Sequence, residues 1–503
     1  MTDEPKAEAG QGSLSGQAIS GVVLLGSAQG VKFLTQLTST VVLARLLSPA
    51  DFGLFAMTMP LVAFVMMFQD FGLSQAVITI QDIDQRQLSS FFYINFAMSF
   101  GLAALIALGA PLIGAFYRNP DAVGPLLALA ATVVISGLST IQYALLVRRL
   151  QFDRMAIADI VGALAGLAAS LVVAIVWPSV WALVAAVVGN MLVGLVLGWA
   201  FTRWRPGVPA SLGEVRRLIA FGTGVATSDF ATFVSRNADN VLVGRVLGAV
   251  PLGFYDRAYK LLLFPLQQIV HPLGRVTVPI LGRLAGEPQR YRDAYLRTIN
   301  QMLLVCTPGM IAIIVGADLA VPIAMGGKWA AITPLFRWLG LVGIFMPLTQ
   351  SLAWLLISQS RTRELARFSI FNAVTAVIGF VAGLRFGIVG FAMIFAISET
   401  FVRLPAYLWY VGRRGPVTTG DFAALVGVHG LGGIAALAAS LGFRLGLYLP
   451  PLAELIGCAA SAYLAGWAAV WLIPGHRKVF AELLAIVARF VPRLRPRITP
   501  VDA

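Results

Sequence analysis

Gln29, Lys32, Gln36 and Thr40 stand 3, 4 and 4 residues apart, a spacing that puts them on one face of an α-helix. Asp229, Thr232, Arg236 and Asn240 repeat that spacing at an offset of 200. A third set, Lys260, Gln267, His271 and Arg275, follows at helical spacing, and its counterparts 200 residues earlier are Pro60, Met67, Phe71 and Gln75. The repeat is therefore chemically asymmetric. Lys32, Arg236, Lys260 and Arg275 outweigh the nearby carboxylates Asp70, Asp229 and Asp239, a balance that suits an anionic ligand such as a phosphate. Gln29, Gln36, Asn240 and His271 add neutral hydrogen-bonding groups to the same faces. Asp229 and Asp239 are the carboxylates best placed to take a proton or a cation, because a low-dielectric setting favours the neutral acid. Asp239 has a ready ion-pair partner in Arg236, three residues away, which makes Asp229 the stronger coupling candidate. Asp70 and Glu399 are lesser ones.

Other chemistry finds little support. Asp82-Ile83-Asp84 matches the short acid-x-acid pattern of metal-dependent glycosyl transfer, but a loop from Gln81 to Gln87 cannot hold a nucleotide-sugar domain. No glycine-rich phosphate loop ending in Lys-Ser/Thr occurs, so no ATPase is expected within the chain. Cys306 and Cys458 each lie inside an apolar run, and His271, His429 and His476 are far apart, so neither a disulfide framework nor a metal site is predicted. No cofactor is called for.

The elements that position these residues follow from composition. The 503 residues are 58% hydrophobic and only 12% charged, where soluble domains carry about 25% charge. Such a chain lacks the polar groups to cover a water-facing surface and reads as an all-α polytopic membrane protein. At about 20 apolar residues per crossing, about fourteen segments qualify. An ionised group at a helix centre costs about 2.5–3.5 kcal/mol, so the polar stripes are predicted to face one shared, water-accessible space between bundles. The net charge of +14 is compatible with nucleic-acid binding, but the distribution of the cations argues against it. Arg148, Arg149, Arg154, Arg203, Arg205, Arg216, Arg217, Arg361, Arg363, Arg413 and Arg414 cluster at one set of helix ends. Arg45, Arg118, Arg245, Lys328, Arg385 and Arg444 are scattered over the other. That bias predicts both termini on the cytoplasmic side.

A second repeat lies at the same offset. "VVLARLLSPADFGLFA" (41–56) returns as "VLVGRVLGAVPLGFYD" (241–256), with Arg45, Gly53 and Phe55 matched by Arg245, Gly253 and Tyr255. Arg45 and Arg245 are expected to snorkel or bond carbonyls at a periplasmic corner, or to act as a gate, with Gly53 and Gly253 allowing a tight backbone there. An offset of 200 holds about six crossings, an even number, so both copies run in the same direction, as in parallel-repeat transporters. The predicted architecture is two pseudo-symmetric six-helix bundles plus two C-terminal helices. Its divisions are a disordered tail 1–17, a first bundle 18–205, a linker 206–217, a second bundle 218–412, helices 13 and 14 in 413–475, and a cytoplasmic amphipathic helix with basic tail, 476–503. Residues 1–16 lack a basic n-region and cleavage-type site, so no signal peptide is expected. The apolar face of 478–492, followed by Arg493, Arg495 and Arg497, suits a helix lying on anionic lipid. Gly162/Gly166, Gly194/Gly198 and Gly379/Gly383 are expected to serve helix packing.

"LARLLSPADFGLFAM", "FGLSQAVI", "ALLVRRLQFDRMAIADI", "NADNVLVGRVLGAVPLGFYDRAYKL" and "MGGKWAAITPLFRWLG" resemble the Wzx-type polysaccharide flippases. The likeness is narrower still to the WzxC-like lipopolysaccharide and exopolysaccharide biosynthesis proteins of the multidrug/oligosaccharidyl-lipid/polysaccharide exporter superfamily. It extends from about residue 18 to 475. It implies a bacterial inner-membrane transporter, not an enzyme, that moves undecaprenyl-pyrophosphate-linked oligosaccharide between leaflets by alternating access. Its partners would be that lipid, the surrounding membrane lipids and proteins of a polysaccharide polymerisation and export assembly. The family has no universal catalytic motif, so no site residue carries over. Two alternatives stay open within the superfamily, a cation-coupled drug antiporter and a lipid II flippase. One of another class, a membrane-embedded polymerase or ligase, is disfavoured by the short, apolar stretch Asp318 to Ala330, the longest predicted on the periplasmic side.

Overall fold

The structure is a computed structural model that describes residues 29–69, 73–80, 83–210, 226–480 and 482. Among the described residues it is helical, without a strand. The helices are α1 (29–46), α2 (Pro49–Gln69), α3 (Leu73–Thr79), α4 (Gln85–Tyr117), α5 (Val123–Arg148), α6 (Phe152–Val176), α7 (Trp181–Thr202), α8 (Ala226–Leu247) and α9 (Ala249–Arg283). They continue as α10 (Pro288–Val315), α11 (Ala317–Met325), α12 (Thr333–Ser358), α13 (Thr362–Leu384), α14 (Gly387–Ile397), α15 (Leu404–Gly412), α16 (Thr419–Gly446) and α17 (Pro451–Leu472). Among the described residues, eleven helical stretches are long and apolar enough to cross a membrane, with α14 and α15 acting as one through Gly387–Gly412. Of the fourteen expected crossings, the three outside that set fall on α1, α8 and α9, the helices that carry the polar stripes. The predicted surface helix at 478–492 lies mostly outside the described residues.

By packing, the chain divides into two compact units, Met1–Asp256 and Arg257–Ala503. In the first, small residues set the helix spacing. A methyl group on Gly162 would collide with Asn190, and one on Gly166 with the Ala186 carbonyl, so α6 and α7 meet backbone to backbone. Phe92, Trp199 and Trp204 pack edge to face, and Trp204 Nε1 donates to Gln85 Oε1 at 2.7 Å. Asp84, half of the acid-x-acid pattern, is a helix cap: its carboxylate accepts from Gln87 N, and the Gln87 side chain accepts from Asp84 N.

In the second unit, Tyr291 and Tyr295 on α10 meet Ser358 and Ser351 on α12 at 2.6 and 2.8 Å. The rings of Phe368 and Tyr407 stack 3.7 Å apart. Pro308 interrupts α10. Having no N–H, it leaves the Leu304 carbonyl without its helical partner, and Trp467 Nε1 on α17 donates to that oxygen at 2.9 Å. Tyr463 OH does the same for Val305, also at 2.9 Å. The last two helices are thus fastened to the break in α10. Gly432 and Gly466 cross closely between them, and Arg444 near their far end binds Asp318, Glu454 and the Val315 carbonyl.

Candidate functional site

The α1–α2 and α8–α9 corners are where the sequence repeat becomes a physical contact. Within the first unit, the equivalent residues Phe52 and Leu252, Phe55 and Tyr255, and Ala56 and Asp256 are each buried. The two corners turn by different means. Ser48 and Asp51 cap each other at the start of α2, Asp51 accepting from Ser48 N at 2.9 Å. At the second corner Gly248 takes a left-handed conformation, φ 93°, and its N–H returns to the Val243 carbonyl. Neither Gly53 nor Gly253 has a positive φ, and each lies inside a helix. A methyl on Gly53 would overlap the carbonyl of Ala249, and one on Gly253 that of Pro49. They are there for close approach. Arg245 holds its guanidinium 5.6 Å from the centroid of the Phe116 ring, and Arg45 is exposed.

On α1, Gln29 and Gln36 are exposed, and Lys32 between them is half-buried. Lys32 Nζ lies 2.9 Å from the Asp159 carboxylate on α6, with side chains 37% and 30% exposed. The repeat does not point to Asp159, which lies on a helix outside the repeated stripes. The signal was present: one carboxylate in the apolar run "MAIADIVGALAG" demands a partner or water. Asp159 lies near Tyr143 on α5. Tyr143 in turn lines a cavity of about 330 Å³ between α5 and α7, with Ser136, Ser139, Thr140 and Asn190 around it. The polar surface therefore runs from α1 across α6 to the α5–α7 cavity, all within the first unit.

The second copy carries different chemistry at equivalent positions. Where the first has Ser39 and Phe55, the second has Asp239 and Tyr255, and Tyr255 OH donates to the Asp239 carboxylate at 3.0 Å. Two substitutions in the repeat thus create one hydrogen bond. Asn240 and Lys260 are half-buried, and Arg275 is exposed and has no ion pair among the described residues. The side chains of Asp229, Thr232, Arg236 and His271, and all of Asp70, lie outside the described residues, as does the proposed Arg236–Asp239 pair.

A further intramembrane charge sits in the second unit. Between α14 and α15 the helix widens into a π turn, Ser398–Arg403, a form that recurs at functional sites. There Arg403 lies 2.7 Å from Glu399, with side chains 4% and 14% exposed, and packs on the Phe395 ring. Arg403 also donates to Asn372 Oδ1 on α13 at 3.3 Å. Among the described residues no three His, Cys, Asp or Glu side chains come together.

With this arrangement in hand, the sequence matches the family described as polysaccharide biosynthesis protein over residues 42–334. The chain belongs to that polysaccharide biosynthesis family. The match includes both glycine corners, Asp159 and the α5–α7 cavity. The lipopolysaccharide biosynthesis protein WzxC of Escherichia coli strain K12 is 24% identical over 371 residues, 73% of each chain. The succinoglycan biosynthesis transport protein ExoT of Rhizobium meliloti strain 1021 is 26% identical over 385 residues, 76% of this chain and 77% of the relative. Among solved structures, the lipid II flippase MurJ in an inward closed conformation superposes with a TM-score of 0.72, covering 89% of this chain and 99% of that one, at 13% identity. At that identity the likeness concerns the fold. Among the described residues, this polysaccharide biosynthesis protein shares the all-α fold of that structure.

Proposed function

We propose that this chain is a flippase that carries undecaprenyl-pyrophosphate-linked oligosaccharide units across the bacterial inner membrane, for lipopolysaccharide or exopolysaccharide biosynthesis. The observation that carries the reading is the Lys32–Asp159 pair, its carboxylate on α6, one of the helices apolar enough to span a bilayer, near a cavity that holds hydroxyl and amide groups, in a polysaccharide biosynthesis protein. Charge at that depth is expensive and persists where a polar ligand or water must pass. The glycan occupies the interior while the lipid tail stays in the bilayer, and the protein alternates its access between leaflets. Both termini face the cytoplasm, as the distribution of Arg and Lys supports. Gln29, Lys32, Gln36, Arg236, Asn240, Lys260, His271 and Arg275 are the proposed substrate-facing groups, and Asp229 and Asp239 the proposed coupling carboxylates. Arg45 and Arg245, with Gly53 and Gly253, form the proposed periplasmic corners.

The test is a deletion strain. It should accumulate a lipid-linked oligosaccharide on the cytoplasmic face of its inner membrane and regain surface or secreted glycan when the chain is restored. Unchanged glycan output and no accumulated intermediate would overturn the reading. In proteoliposomes, an imposed proton or sodium gradient should alter the transport rate in the parent chain but not in Asp229→Asn. Gradient-independent transport would leave passive exchange, drawn forward by consumption of the glycan.

A further inference from the structure

We propose that the α5–α7 cavity is a saccharide subsite, the place where one neutral sugar of the carried glycan is held. This rests on the flippase reading and assigns it a location. The cavity's volume, about 330 Å³, equals about eleven waters at ~30 Å³ each, room for about one pyranose ring.

Its lining mixes hydroxyl and amide groups with the apolar side chains of Ile135, Met191 and Leu195, a combination that suits a neutral ligand with both hydroxyls and C–H faces. Ser139 and Thr140 donate their hydroxyl protons to the Ile135 and Ser136 carbonyls at 2.8 and 2.9 Å, so their oxygens face the cavity as acceptors. Tyr143 OH and the Asn190 amide make no hydrogen bond among the described residues, and both groups can donate as well as accept. A sugar's vicinal hydroxyls need that mixture. Gly194 and Gly198 leave α7 bare where Tyr143 crosses it: a methyl on Gly194 would stand 3.1 Å from Tyr143 OH, and one on Gly198 3.7 Å from the ring. The bare helix leaves room for the Tyr143 ring, which lines the cavity and whose apolar face suits the C–H face of a pyranose. No charged side chain lines the cavity. The nearby Lys32 is neutralised by Asp159, so this polar surface offers a phosphate no net charge. The glycan and the pyrophosphate are therefore bound by different groups.

The experiment uses Thr140→Cys in inner-membrane vesicles, with the parent chain, whose Cys306 and Cys458 are buried, as the blank. A water-soluble maleimide should label it. The lipid-linked oligosaccharide fraction extracted from the host, and the oligosaccharide released from it by mild acid, should each slow labelling at least fivefold, and undecaprenyl phosphate should not. No labelling without ligand, no protection by the sugar-bearing probes, or equal protection by undecaprenyl phosphate or by phospholipid overturns the subsite. In the deletion strain, Asn190→Leu should lower export at least tenfold at an unchanged amount in the membrane; if it fails to accumulate, Asn190→Ala takes its place. Parental export by the accumulating variant overturns the subsite alone. Failure of the parent chain to restore export overturns the flippase reading instead.

Discussion

Gly53 and Gly253, 200 residues apart in sequence, lie against each other's corner: Gly53 on the Ala249 carbonyl and Gly253 on that of Pro49, the residue equivalent to Ala249 in the other copy. The contact is reciprocal between the two corners, which both lie in the first unit. With a hydrogen in place of Cβ, the first turns of α2 and α9 pack at backbone distance.

Gly53→Ala or Gly253→Ala should therefore destabilise the protein by about 1–3 kcal/mol or more, since the added methyl meets backbone that cannot rotate away. The purified variants should melt earlier than the parent in detergent. Gly30→Ala, where a Cβ meets nothing within 4 Å, is the control. Unchanged midpoints for both corner variants would show that the helices separate there at no cost.

Lys32→Gln and Asp159→Asn should each reduce the amount of protein in the membrane, because each leaves the other charge without its partner at 2.9 Å. The double variant should recover accumulation but not export if the pair serves transport. Export at the parental rate by the double variant would reduce the pair to a structural one.

Trp467→Phe should cost about 1 kcal/mol, within the range of interhelical hydrogen bonds in membrane proteins. In a Pro308→Ala background the helix regains its own N–H donor for Leu304, so the same substitution should cost less. A double-mutant cycle on thermal midpoints reads this directly, and additive effects would mean that the Trp467 bond does not serve the proline break.

Asp318 lies outside the eleven spans, and hydrogen bonds from Arg444 hold its carboxyl below its ordinary 3.8. A carboxylate depressed in the folded state stabilises the fold above its unfolded pKa, and that stabilisation is lost as the pH falls through the lower, folded value. The thermal midpoint should therefore drop as the pH is taken below 3.8. Asp318→Asn should melt lower at pH 7 and lose that component of the acid response. An identical acid profile in the variant would assign the response to other carboxylates.

The sequence by itself determined the class, the helices and the internal repeat. Hydrophobic runs of membrane-spanning length admit one solution in hydrocarbon, a helix that satisfies its own backbone, so composition and length were enough. The offset from Arg45 to Arg245 needed only residue identities. The helices that departed from the apolar rule, α1, α8 and α9, were legible as polar stripes for the same reason. Partners across space were not legible. Periodicity places Lys32 on a face but does not say which helix that face meets, and Asp159 on α6 emerged only from packing. Likewise the glycines of the two corners read as turn residues, whereas tertiary contact makes them the crossing point of two helices and leaves Gly248 to supply the left-handed turn. The pairing of Asp239 with Tyr255 and the π turn that seats Arg403 against Glu399 depend on how one helix turn lies against the next. A one-dimensional pattern carries a helix's period. It does not carry the rotation about its axis that packing selects, and that rotation decides which polar groups meet.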